Sequence, residues 1–172
     1  MKNNQNLGPT HLVAYMQVNN LPGEILELDV PTPTVVAAAA AVGCEPEQIV
    51  KSLLFFVRDE PVLAITSGPD YIERRSIAAH FQVGRKKVKL ADPETVLEET
   101  GFVVGAMPPF GHTSPLPTLI DQRVLDKEQV YAGGGSDQTL LRIAPQIILT
   151  ATQGTVLDLI SYNPQKPGNQ PD

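Results

Sequence analysis

The sequence predicts an α+β fold built on a mixed sheet, folded as one domain. Three observations carry this. Short apolar strand candidates follow one another closely, and helical segments fall between them at irregular intervals instead of after every strand. The third is size and composition: 172 residues, 42% hydrophobic and 19% charged, suit one ordinary globular core that buries roughly 70% of its unfolded surface. No repeat or linker divides the chain. Residues 1–160 are expected as the domain, and residues 161–172, polar with three prolines, as a flexible C-terminal tail.

Each element has a local reason. Thr10 can open an amphipathic helix over residues 10–19, with Leu12, Val13, Tyr15 and Met16 as its apolar residues. Glu24 to Leu28 alternates as a strand does. Thr34 is placed to cap a helix from Val35 to Val42 that stops at Gly43, and its five alanines suit close packing on a sheet. Pro46 to Val50 predicts a helical turn feeding a strand from Ser52 to Val57. The tight Asp59-Glu60-Pro61 connection then pairs that strand with Val62–Thr66 as a hairpin. A helix is expected over Ile72–Val83, stopped by Gly84, then a short strand Val88–Ala91. Asp92 as cap and Pro93 at the first helical position open a helix that ends near Gly101. Residues 105–117, with two glycines and four prolines, leave no room for regular structure. Strands are expected at Thr118–Asp121, Gln129–Ala132 and Thr139–Ile143, a helix at Pro145–Thr150 and a last strand at Val156–Leu159.

Composition excludes several functions. A single cysteine, Cys44, permits no internal disulfide and fits a reducing compartment; following an alanine-rich helix, it suits a small packed thiol. No apolar stretch approaches the roughly 18 residues of a membrane span, and Met1–Asn6 leads into no signal-peptide core, so a cytoplasmic protein is expected. The net charge of −6 argues against wholesale nucleic-acid binding, yet it is unevenly spread. Arg74, Arg75, Arg85, Lys86, Lys87 and Lys89 fall in one stretch without an Asp or Glu. Such a stripe suits either phosphate contact at one surface or a solvated helix end and turn. No tryptophan and few other aromatics argue against long single-strand stacking surfaces.

Three segments could carry chemistry. Lys51 lies in the apolar run Ile49-Val50-Lys51-Ser52-Leu53-Leu54-Phe55-Phe56-Val57. Burying an unpaired ammonium costs several kcal/mol, so this lysine either snorkels to water or meets an anion. Gly105-Ala106-Met107-Pro108-Pro109-Phe110-Gly111-His112 is a proline-stiffened turn bracketed by glycines. It is either only a turn or a set of bare backbone N–H donors suited to a developing oxyanion. Tyr131-Ala132-Gly133-Gly134-Gly135-Ser136-Asp137 is either a glycine hairpin or a wrap for a phosphate, ribose or aminoacyl ester; without a following Lys-Ser/Thr helix it is no nucleotide P-loop. His112 can serve in acid–base chemistry or simply cap a turn. His11, His80 and His112 are far apart and no cysteine pair exists, so no metal site is expected.

The order of these segments resembles the YbaK family, free-standing relatives of the editing domain inserted in bacterial prolyl-tRNA synthetases. The likeness spans residues 24–160. It rests on Ile49-Val50-Lys51-Ser52-Leu53-Leu54-Phe55, Lys87–Glu94, Thr100–His112, Leu116–Asp121 and Val130–Gly135 in register. It implies a mixed, mostly antiparallel, barrel-like sheet with surrounding helices. It also implies trans-editing hydrolysis of the ester bond of a mischarged aminoacyl-tRNA bearing a small amino acid, with tRNA for proline as the expected carrier. Lys51 matches the family's essential lysine, and Gly105 and Pro109 match its Gly-x-x-x-Pro loop, so these three are the expected catalytic residues. Ser52, Gly111, His112, Gly133 and Gly134 are expected around the substrate, and Arg85, Lys86 and Lys87 along the tRNA backbone. The resemblance implies no metal or other cofactor, aminoacyl-tRNA as partner, and prolyl-tRNA synthetase as a further one. The cysteinyl-tRNA branch carries Ser-Gly-Gly after the tyrosine strand and an aspartate beyond it. Gly133 and Leu140 stand at those places here, which leaves cysteine specificity unsupported. The alternative is a non-catalytic binder of an aminoacyl-adenosine-like ligand or of a synthetase.

Overall fold

A computed structural model describes residues 6–161; the expected tail, apart from Ser161, lies outside the described residues. The chain runs α1 (Pro9–Val18), β1 (Glu24–Glu27), α2 (Val35–Val42), β2 (Val50–Val57), β3 (Glu60–Ser67), α3 (Arg74–Phe81), β4 (Val88–Leu90), α4 (Pro93–Thr100), β5 (Thr118–Asp121), β6 (Val130–Gly133), β7 (Thr139–Ile143), α5 (Pro145–Thr152) and β8 (Thr155–Leu157). Single 3₁₀ turns precede β2 at Pro46–Gln48 and β4 at Arg85–Lys87.

Local chemistry sets the element ends. The Thr34 hydroxyl accepts the Ala37 N–H and the Asp92 carboxylate accepts the Thr95 N–H, so α2 and α4 begin where these caps place them. α3 is shorter than the periodicity predicts. The Glu73 carboxylate takes the Arg75 N–H, which starts the helix after Ile72, and Gln82 in the left-handed region ends it before Val83. The β2–β3 hairpin turns on two residues, Arg58 and Asp59, both with positive φ, the geometry that matches strand twist. β8 stops at Leu157, short of the expected Leu159. That residue instead buries its side chain completely and donates its N–H to Asp121 at 2.8 Å. Asp121, fully buried, also accepts from Arg123, whose guanidinium reaches Asp158 as well, so one charge network ties β5 to the end of the fold.

The strands form two sheets. One has the order β1-β7-β6, wholly antiparallel; the other has the order β4-β2-β3-β5-β8, antiparallel except where β5 pairs with β3 and β8. Side chains of a strand alternate between faces. Val50 and Leu54 of β2 accordingly join Leu63 and Ile65 of β3, Phe102 and Leu141 in the main core, while Phe55 and Val57 pack with Val62, Ala64 and Ile77 under α3. Ala38 and Ala39 lay α2 against Ile49, Tyr131 and Leu140, which is what the alanine run allows.

The barrel-like expectation needs correction, because the sheets do not close. A single parallel bridge, Ile49 to Tyr131, links β2 to β6, whereas β4 pairs with β2 only along Phe55–Val57. After the Ala91 N–H bonds the Leu54 carbonyl at 2.9 Å, the chain leaves for α4. Between these two contacts one edge of β2 has no strand partner among the described residues, and there the molecule opens inward.

Candidate functional site

That gap is the mouth of a cavity of about 350 Å³. Its walls come from the Thr32–Val35 segment and α2, from β2, from Leu90, Ala91, Pro93 and Val96, from Val104–Gly105 with Met107, and from the glycine hairpin with Ser136, Thr139 and Leu140. Lys51 and Ser52 are adjacent on one strand and so point to opposite faces. Both line the cavity because it wraps the unpaired edge of β2. Backbone groups of alternate residues share an edge of an antiparallel pair. With the Leu54 carbonyl on the β4 side, the Ser52 amide and carbonyl face the recess. The Ser52 hydroxyl is buried without a protein partner, an arrangement costing about 1–3 kcal/mol that a ligand could relieve.

Lys51 is half-buried at the rim. Its ammonium donates to the Asp70 carbonyl at 2.7 Å and sits 5.5 Å from the centre of the Tyr71 ring. Burial lowers its pKa below the ordinary lysine value, and the nearby Asp70 carboxylate opposes that effect. Directly across the ladder lies Thr66, fully buried, whose hydroxyl also has no protein partner. Among the described residues, Lys51 is the single titratable side chain on the cavity wall.

Gly105 has φ +87°, and a Cβ built there would meet nothing within 4 Å: it is exposed at the cavity, with its backbone bare. Gly133 is opposite in character. A Cβ there would lie 2.3 Å from the Met107 carbonyl oxygen, so its role is to let β6 press against the loop behind Gly105. The Gly135 N–H bonds the Ala106 carbonyl at 2.9 Å and completes that seam. The two glycine segments therefore form one unit, which their separation in sequence does not reveal.

Pro109, Gly111 and His112 are not brought to Lys51. They line a second cavity of about 220 Å³ with Tyr15, Phe110, Ser114 and Thr152. Pro109 is buried, and Gly134 packs behind the hairpin against Thr139. His112 Nε2 lies 2.8 Å from the Pro108 carbonyl oxygen, which can only accept; the neutral ring is therefore the Nε2–H tautomer. Phe102 meets the ring edge-on, and burial pushes the imidazole pKa down to about 4 despite the hydrogen bond, so His112 is uncharged at neutral pH. Arg85, Lys86 and Lys87 occupy the exposed turn before β4, which runs from them to Leu90 on the cavity wall.

The sequence reading did not single out the Thr32–Thr34 wall. Its signal was there in Pro31-Thr32-Pro33-Thr34, a second proline-stiffened stretch. The Thr32 N–H bonds the Asp137 carbonyl at 3.0 Å and so fastens this wall to the glycine hairpin. Thr139, also unremarked as a site residue, shares a hydroxyl contact of 2.9 Å with Ser136 of the glycine segment on the opposite side. Among the described residues no group of three or more His, Cys, Asp or Glu is arranged to hold a metal ion, and no helix is long and apolar enough to cross a membrane.

A mostly apolar recess with one cation, bare backbone at Gly105 and an unpaired strand edge can hold an acyl group beside an anionic partner, a task well suited to ester recognition. The chain belongs to the aminoacyl-tRNA editing domain family, whose sequence model matches residues 29–150. A solved structure described as a proposed trans-editing enzyme for prolyl tRNA synthetase superposes with a TM-score of 0.83 at 32% identity, covering 89% of this chain and 96% of that one. The proline–tRNA ligase of Thermotoga neapolitana is 35% identical over 113 residues, 64% of this chain but 19% of the ligase. EbsC of Enterococcus faecalis, whose name proposes a Cys-tRNA(Pro)/Cys-tRNA(Cys) deacylase, is 23% identical over 124 residues, 72% of this chain and 74% of EbsC.

Proposed function

We propose that this chain is a cytoplasmic aminoacyl-tRNA deacylase that acts in trans, removing a small amino acid mistakenly esterified to tRNA, with tRNA for proline as the carrier and prolyl-tRNA synthetase as a functional partner. The observation that carries it is the convergence of Lys51, Ser52 and Gly105 on one recess in a member of this family. Water adds to the ester carbonyl carbon, and the bond to the ribose oxygen then breaks. The amino acid leaves as its carboxylic acid, and the ribose oxygen takes up a proton. Lys51 holds the negatively charged nucleotide end at the rim. Backbone donors at Gly105 and at the Ser52 edge face the carbonyl and stabilise the oxyanion that develops, without having to reorganise. With no second titratable side chain on the wall, the proton from water passes to solvent or to a group of the substrate itself. The apolar inner surface of Val35, Ala38, Leu54, Val96 and Met107 receives the amino-acid side chain. Arg85, Lys86 and Lys87 lie along the tRNA backbone. Pro109 supports the loop from behind, outside the recess.

Gly133 in the glycine hairpin and the acidic net charge of −6 also support a second reading, a non-catalytic binder of an aminoacyl-adenosine-like ligand or of a synthetase. One experiment separates the two: a panel of mischarged tRNAs scored for ester hydrolysis by wild type, Lys51→Ala and Lys51→Arg. Wild type is expected to hydrolyse one or a few, Lys51→Ala to lose most activity with its fold intact, and Lys51→Arg to recover little, since a planar guanidinium does not replace a point charge. No hydrolysis across the panel would favour the binder. Equal rates for wild type and Lys51→Ala would remove Lys51 from the chemistry.

A further inference from the structure

Tyr71 is 86% exposed, the only Phe or Tyr side chain among the described residues left open to solvent. It belongs to none of the three core clusters. An aromatic ring in water gives folding almost nothing, so its position is informative. It lies between β3 and α3, one residue after the carbonyl that holds Lys51, and the Lys51 ammonium lies over the ring at 5.5 Å from its centre. With the cation over one face, the high exposure leaves the rest of the ring free beside the cavity mouth.

We propose that Tyr71 is the stacking platform for the terminal base of the RNA strand whose aminoacyl group enters the recess, a substrate-binding contact that rests on the deacylase assignment above. The scarcity of aromatics excludes a surface for many bases; one base needs one ring. Stacking is tolerant of base identity and is worth about 5- to 150-fold in affinity when the ring is removed. A cation already set against the ring adds attraction for the phosphate attached to that nucleoside, so ring and ammonium grip one nucleotide together.

The test uses Tyr71→Ala, Tyr71→Phe and Tyr71→Leu in the full chain. With the preferred mischarged tRNA, Tyr71→Ala and Tyr71→Leu should raise KM by about 5- to 150-fold at unchanged kcat, because a contact made equally in ground and transition states moves KM alone. Tyr71→Phe should stay near wild type, and no variant should shift Tm. The direct readout is binding of 3′-(L-alanylamino)-3′-deoxyadenosine, which cannot be hydrolysed, against the same ribose derivative with the base removed. Only the base-bearing compound should lose affinity in Tyr71→Ala. A KM within twofold of wild type, or equal losses for both compounds, would overturn the platform and leave the deacylase assignment standing. Should wild type hydrolyse no mischarged tRNA, that assignment falls, and equal affinity of wild type and Tyr71→Ala for the base-bearing compound would then overturn the platform on its own.

Discussion

Acidification offers a measurement whose size follows from one residue. The fold holds His112 neutral, with a pKa of about 4 against an ordinary 6.5, because burial disfavours the imidazolium more than the Pro108 hydrogen bond supports it. Below pH 6.5 the unfolded chain takes up a proton that the folded one refuses, so stability is lost as the pH falls from 6.5 to about 4, and the loss levels off below that. At about 1.4 kcal/mol per pH unit the full effect is about 3 kcal/mol. Carboxylates such as Asp92 and Asp158, whose pKa values are held low, also weaken the fold on acidification, so the readout must be a difference. Urea unfolding of wild type and His112→Gln at half-unit steps from pH 7.5 to 3.5 supplies it, since the glutamine amide can donate to the Pro108 carbonyl but does not titrate. Wild type should lose about 3 kcal/mol more than the variant across the window. Parallel profiles, or a His112 ring resonance titrating near pH 6.5, would refute the account.

The two glycine segments predict contrasting losses. Gly105→Ala places a side chain at φ +87° in open space, costing roughly 1 kcal/mol or a few degrees in Tm, while deacylation should fall further than that because the methyl group intrudes at the ester. Gly133→Ala drives a methyl group into the Met107 carbonyl and should cost about 1–3 kcal/mol with activity lost in proportion; thermal melts beside initial rates distinguish the two. Replacing Lys86 and Lys87 by alanine should flatten the log–log salt dependence of tRNA binding by up to about 1.8, with no change in the preferred amino acid. Superimposable salt titrations would make this turn plain solvated surface.

Where structure is decided locally, the sequence was readable. Thr34, Asp92 and Pro93 mark helix starts because a hydroxyl or carboxylate cap acts within three residues. The β2–β3 hairpin is legible too, although Arg58 and Asp59 make its turn, ahead of the expected Asp59-Glu60-Pro61 connection. α3 was overextended because Ile72 and Val83 continue its apolar face, while a side chain on Glu73 and a backbone angle at Gln82 end it. Lys51, Gly105 and Gly133 stood out as a cation in an apolar run and as glycines beside prolines and strands. Which of the expected residues share a recess was not legible. The loop from Gly105 to His112 passes through the core at Met107, Pro108 and Phe110, so its two ends emerge into different cavities. That path is set by packing against α1 and β6, far away in sequence.

The unpaired stretch of β2 has a consequence for how this protein meets copies of itself. A bare strand edge normally invites a second chain to add its own strand and so begin a growing aggregate, which is why many folds arm such edges with charge or cover them. Here the bare segment is about four residues long and sunk behind α2, the Gly105 loop and the glycine hairpin, with β4 taking over at Phe55. A neighbouring polypeptide cannot lie alongside it without unseating those walls. Concave placement thus lets the fold keep hydrogen-bonding backbone permanently uncommitted without the solubility hazard that a bare edge carries on an open surface.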